Sequence, residues 1–200
     1  MRALIVAALV ATSSLSGGSA WAQAVEVANV KYEPTLDLAG QKLQLNGAGI
    51  RYKFVVKVYT AGLYLTQKAG TTQEALTAPG PKRIHIQMLR DIDGNELGKL
   101  FTKGMEANAP REEFVKSING VLKLSEVFAS RSKLNTGDSF SVDYVPGLGS
   151  TLLLNGKPLM NEPIKEPEFF SALLRIWLGD KPADDGLKDA LLGVKKTRRN

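Results

Sequence analysis

The chain has 200 residues, 44% of them hydrophobic, with no cysteine and a formal charge of +6. The lack of cysteine excludes disulfides, thiol nucleophiles and thiolate metal sites, and a single histidine leaves too few ligands for a structural zinc site. The charge does not point to nucleic acid: without Arg2 the chain holds 25 basic against 20 acidic residues, and four of those 25 lie in the last six positions.

In chain order, the first element is an address. Met1-Arg2 provides a positive start, Ala3 to Val10 is apolar, and small residues lead to Ala20-Trp21-Ala22. An Ala-x-Ala pattern predicts signal-peptide cleavage after Ala22, and the apolar run of roughly eight to ten residues falls short of the ~20 that span a bilayer. The expectation is therefore an exported, periplasmic protein of a Gram-negative bacterium. It has a signal peptide over 1–22, one domain over 23–194 that needs no staples, and a basic tail over 195–200. Lys195, Lys196, Arg198 and Arg199 read as solvated chain, with weak contact to anionic lipid headgroups as the other reading.

Val25 to Tyr32 alternates loosely, and Pro34 and Gly40 punctuate short strands at Leu36–Leu38 and Lys42–Leu45. A glycine-rich turn (Asn46, Gly47, Ala48, Gly49) then leads into one long β-prone run from Ile50 to Thr66. Thr71-x-x-Glu74 is a capping-box signature for a short helix before Pro79. Lys82 to Leu89 alternates as a half-buried strand, with Ile84, Ile86 and Met88 on one face and Arg83, His85 and Gln87 on the other. Helical stripes follow over Glu96–Asn108 and Arg111–Ala129, the second with a break expected at Asn119-Gly120. Strands return at Ser139–Val145 and Thr151–Leu154, Asn155-Gly156 is a hairpin turn, and a further short strand runs toward Met160. Pro167 opens a helix that Gly179 closes, and a last short helix runs from Asp185 to Leu192. Antiparallel hairpins with helices grouped between them predict an α+β fold.

Few residues offer chemistry. His85 is the one histidine, read as an ordinary surface residue without a partner that would make it a base or ligand, and no G-x-S-x-G elbow exists. Asp91, Asp93, Asn95 and Glu96 do not fit a calcium loop and serve better as an acidic helix start. Gly47-Ala48-Gly49 is too short for a dinucleotide fingerprint and leads into a strand. No metal or cofactor site is expected. What stands out is Arg51, a cation at the mouth of a run dense in Val, Phe and Tyr. That setting suits an amphiphilic acid, and the alternative is a core strand with a surface arginine at its start.

The run Leu45-Asn-Gly-Ala-Gly-Ile-Arg51 followed by Lys57-Val-Tyr59-Thr-Ala-Gly-Leu-Tyr-Leu65 resembles the core motif of chalcone isomerase-like proteins. The order of Met88-Leu89-Arg90-Asp91, Gly137-Asp138, Leu154-Asn155-Gly156 and Glu168 to Gly179 is similar to that of the bacterial exported branch. The resemblance covers about Val25 to Gly193. It implies an open-faced β-sandwich, a large antiparallel sheet covered by helices on one face, with a ligand cleft between the layers. In the plant enzymes, which close a hydroxychalcone to a flavanone, the cleft arginine matches Arg51. Their active-site threonine falls on Tyr59 and their late Ser or Thr on Ile176, while their helical Tyr and Asn are not placed on Glu96–Asn108, where no tyrosine occurs. Fatty-acid-binding members pair an arginine with a tyrosine at the carboxylate, which Arg51 and Tyr59 resemble.

Residues eight apart share a face, but a straight strand would separate them by ~26 Å, so the two can meet only if the chain bends near Phe54 to Lys57. The leading expectation is a periplasmic, non-catalytic binding protein for a fatty acid or similar amphiphilic carboxylate, with Arg51 and Tyr59 as ligand-binding residues. Two alternatives stand beside it: a chalcone isomerase-like intramolecular lyase acting on a phenolic enone through Arg51, and an envelope interaction module with no small ligand.

Overall fold

A computed structural model describes residues 24–194, so the signal peptide and the basic tail expected at the two ends lie outside the described residues. The strands are β1 Val25–Val27, β2 Val30–Tyr32, β3 Thr35–Leu38, β4 Gln41–Lys53, β5 Val56–Leu65, β6 Lys82–Met88, β7 Ile92–Asp93, β8 Lys133–Leu134, β9 Ser139–Val145, β10 Gly149–Leu154 and β11 Lys157–Pro158. The helices are α1 Thr72–Thr77, α2 Gly94–Asn108, α3 Arg111–Lys116, α4 Ile118–Ala129, α5 Pro167–Leu178 and α6 Asp185–Leu191. Seven strands form one antiparallel sheet in the order β11-β10-β9-β6-β5-β4-β3. The fold is α+β, as expected, with the helices packed on one face.

The main core lies between that face and the helices. It takes Ile84, Ile86 and Met88 from β6, Ala61, Leu63 and Leu65 from β5, and the apolar side of α5, including Phe169, Leu173 and Trp177. A second, smaller cluster of Val30, Tyr32, Leu43, Leu45 and Tyr64 covers part of the opposite face under the β1–β2 hairpin. Thr71 and Glu74 form the expected capping box of α1.

The stretch from Ile50 to Thr66 is not one strand. It turns through Phe54 and Val55, so β4 and β5 are a hairpin in which Lys53 faces Val56. Asn46 to Gly49 is likewise not a turn but the interior of β4. A bulge between Leu45 and Gly47 rotates the strand by one residue. Before it, Leu43 and Leu45 point to the small cluster; after it, Gly47, Gly49 and Arg51 pair with Leu63, Ala61 and Tyr59 on the helix side. Asn46 pins the bulge: its Nδ2 donates to the Ala69 and Leu191 carbonyls (2.9 and 2.7 Å) and its Oδ1 accepts from Ala69 N (2.7 Å). The glycines are there because α6 lies on them. A methyl group at Gly47 would collide with the Ala190 carbonyl, and one at Gly49 would sit 2.6 Å from the Ala190 Cβ.

Two boundaries also move. Val25 to Tyr32 is a hairpin, turned at Ala28 and Asn29, both with positive φ. The break in Arg111–Ala129 falls at Ser117, not at Asn119-Gly120. The buried Ser117 hydroxyl donates to the Phe114 carbonyl (2.8 Å) and competes with the helical ladder. Gly120 continues α4 and admits the Phe169 ring, which a Cβ would meet at 2.5 Å.

His85 is half-buried and partnered, contrary to expectation. Its Nδ1 lies 2.7 Å from Ser141 Oγ, and its ring meets Tyr32 edge-on at 5.9 Å. It faces away from the helices, and Asp143 nearby is held by the Arg83 guanidinium through both oxygens, so among the described residues no carboxylate orients the imidazole as a base. Burial, and then the charge of Arg83, lower its pKa below 6.5. The unfolded chain therefore binds the proton more readily than the folded one. Stability should be complete above pH 6.5 and fall as acid brings the pH down toward the lowered value. His85→Gln should flatten that slope in a pH series of thermal melts; an unchanged slope would locate the effect elsewhere.

Candidate functional site

The hairpin of β4 and β5 forms one wall of a cavity of about 250 Å³. It contributes Arg51, Val58 and Tyr59; α2 contributes Leu97, Leu100, Phe101, Lys103, Gly104, Ala107 and Asn108; Ile176 of α5, Ile92, Lys181 and Ala183 complete the lining. The volume lies just below the ~300–1,000 Å³ typical of small-molecule pockets, and the walls are mostly apolar. A second, more polar hollow of about 270 Å³ adjoins it, sharing Arg51, Val58, Ile92 and Leu100 and adding Lys53, Arg90, Asp91, Asp93 and Glu96. Arg51 thus stands between an oily chamber and a polar vestibule.

The hairpin resolves how residues eight apart can meet. Arg51 and Tyr59 are direct cross-strand partners, and the guanidinium carbon lies 5.9 Å from the centre of the Tyr59 ring. A second register shift, between Arg51 and Tyr52, ends the regular pairing there, and Tyr52 N donates to the Asp184 carboxylate at 3.0 Å. Among the described residues Arg51 forms no ion pair, and its buried Nε has no hydrogen-bond partner. An unpaired buried donor costs about 1–3 kcal/mol.

Most acids of the vestibule are committed elsewhere. Asp91 accepts from Lys133 Nζ (2.8 Å), Thr136 N (2.8 Å) and Thr136 Oγ1 (3.1 Å), and these bonds, the lysine's first, hold its carboxyl at about 2. Asp93 caps α2 by accepting from Glu96 N at 2.8 Å. Glu96 sits 4.0 Å from Lys53. The cations Arg51 and Arg90 remain to attract an anion.

Tyr59 is deeply buried and its hydroxyl oxygen accepts from Trp177 Nε1 at 2.8 Å. Burial pushes its pKa up to about 12, against the smaller opposing pull of the Trp177 bond and Arg51. It is therefore neutral at physiological pH and keeps its own proton to donate. Tyr59→Phe should cost about 1–3 kcal/mol of stability, because Trp177 Nε1 is left without an acceptor. Denaturant melts measure this, and no loss would mean that the indole finds another partner.

Sequence reasoning missed Asn108, which lines the cavity but is a structural staple. Its Nδ2 donates to the Gly104 and Lys181 carbonyls (both 2.9 Å), and its Oδ1 accepts from Lys181 N (2.7 Å). Ile176 lines the wall, an apolar group where the plant enzymes' Ser or Thr was matched. It also missed the vestibule residues Lys53 and Arg90; their only signal was proximity to Arg51 and to the strand end before α2. Among the described residues no group of three His, Asp or Glu could hold a metal ion, and no helix is long and apolar enough to cross a membrane.

The profile of a family described as chalcone isomerase-like matches residues 24–193. No curated protein sequence matches the chain. Among solved structures, a fatty-acid binding protein from Arabidopsis thaliana is similar in fold, with a TM-score of 0.65 at 12% identity over 85% of this chain and 96% of that one.

Proposed function

Since this chain belongs to the chalcone isomerase-like family, we propose that it is a non-catalytic binding protein for a fatty acid or similar amphiphilic carboxylate. The observation that carries the reading is Arg51: a guanidinium without an ion pair among the described residues, with a buried unpartnered Nε, on the wall of an apolar cavity. A carboxylate there would take up the idle donors in charge-assisted bonds, and the Tyr59 hydroxyl would add its proton. The hydrocarbon would lie along Leu97, Phe101 and Ile176. The fatty-acid binding protein of the same fold supports this by analogy only.

The cavity is open, whereas a module without a small ligand would have its cleft filled by side chains. Ile176 lacks the hydroxyl of the plant enzymes' Ser or Thr that the resemblance places there, and Tyr59 puts a bulkier phenol in place of their threonine, which favours binding over cyclisation of an enone. A panel of hydroxychalcones should accordingly cyclise no faster with the protein than without it.

Mass spectrometry of lipid extracted from the purified protein should find a long-chain fatty acid. Added acid at 100-fold above Kd should stabilise the fold by about 2.7 kcal/mol. No bound acid together with no change in melting temperature would reject the reading. Export is part of the proposal: fractionation should place the protein in the periplasm, with Gln23 as its first residue.

A further inference from the structure

Four two-residue loops close hairpins among the described residues: Ala28-Asn29, Ala39-Gly40, Phe54-Val55 and Asn155-Gly156. Three contain Asn or Gly and have positive φ at both positions, the conformation such tight turns demand. The exception is Phe54-Val55. Phe54 takes φ +58°, a region bulky side chains avoid, yet among the described residues its ring has no packing partner: Phe54 is 94% and Val55 90% exposed. Tyr52 and Val56 beside them are also exposed. Neither turn chemistry nor packing among the described residues accounts for two large apolar groups at this tip.

Charge and position identify the occupant. Lys53 and Lys57 flank the tip, and Lys53 also lines the polar vestibule with Arg90. An apolar point flanked by two lysines, one of them 4.0 Å from Glu96, matches the boundary of an anionic bilayer, where acyl chains receive the point and headgroups the charges. A two-residue projection is too small for a stable protein interface, which needs ~800 Å² per partner. We infer that the Phe54-Val55 tip inserts into the interfacial layer of anionic membranes and sets the mouth of the Arg51 cavity against the lipid. Docking needs nothing from the ligand reading; passage of an acyl chain between bilayer and cavity rests on it.

The test is sedimentation with vesicles of phosphatidylglycerol and phosphatidylcholine, without added fatty acid, so that its failure is separate from failure of the ligand reading. All proteins carry identical chain ends, so a leader or basic tail contributes equally to each. Phe54→Asn with Val55→Gly installs a favoured turn, and should leave the melting temperature unchanged or raised while binding falls at least tenfold. Lys53→Gln with Lys57→Gln should remove the preference for anionic over pure phosphatidylcholine vesicles. The fluorescence of Phe54→Trp should shift to the blue on vesicles, a response that a turn with only a structural role would not give. Equal sedimentation of the parent and the Asn-Gly variant, or no binding by the parent, overturns the inference. So does a dimer that only the Asn-Gly variant dissolves, since the tip would then serve a second copy of the chain.

Discussion

Arg51→Met should weaken binding of a long-chain fatty acid by about 100-fold, roughly 3 kcal/mol, measured by isothermal titration. Methionine keeps an apolar stem over the Tyr59 ring and removes only the charge and its donors. Folding should survive, because Arg51 forms no ion pair among the described residues that the change could break. The matching fatty alcohol should bind the parent and variant alike. If acid and alcohol lose affinity equally, the arginine shapes the cavity without reading the headgroup.

Gly47→Val should destabilise the protein by about 3 kcal/mol, a fall of roughly 10 °C in melting temperature. The atoms a side chain would strike at Gly47 are the backbone carbonyls of Ala190 and Leu191, which cannot rotate out of the way. Helix α6 would have to lift, and with it the Asp184 carboxylate that accepts from Tyr52 N beside Arg51. Gly70→Ala is the control. Its nearest neighbour would be the Glu74 carboxylate at 3.8 Å, and the change should stay within about 0.5 kcal/mol. Equal losses at both positions would show that backbone freedom, not the approach of α6, is what the glycines provide.

The site was partly legible because its chemistry is local. Arg51 is a cation in an apolar run, and that contrast survives in one dimension. Secondary structure was readable where the signals were also local, as in the capping box of α1, the alternation of β6 and the Asn-Gly turn after β10. The hairpin at Phe54-Val55 was hidden because neither residue is a turn former, so β-propensity ran unbroken from Ile50 to Thr66. Gly47 and Gly49 resembled a turn for the opposite reason. Glycine also marks a close approach between segments, here to a helix over 140 residues away in the chain. The bulge that turns Arg51 toward the cavity depends on Asn46 reaching Ala69 and Leu191, contacts no local pattern encodes. His85 misled because its partner Ser141 lies three strands on in sequence but adjacent in the sheet.

The most direct test follows the carboxyl group itself. A fatty acid labelled with carbon-13 at that carbon can be bound to the protein and titrated by NMR. Beside the Arg51 guanidinium the bound carboxyl should titrate below the ordinary carboxylate range, and Arg51→Met should return it upward. A bound carboxyl that titrates normally in both proteins would mean that the acid meets water, not Arg51.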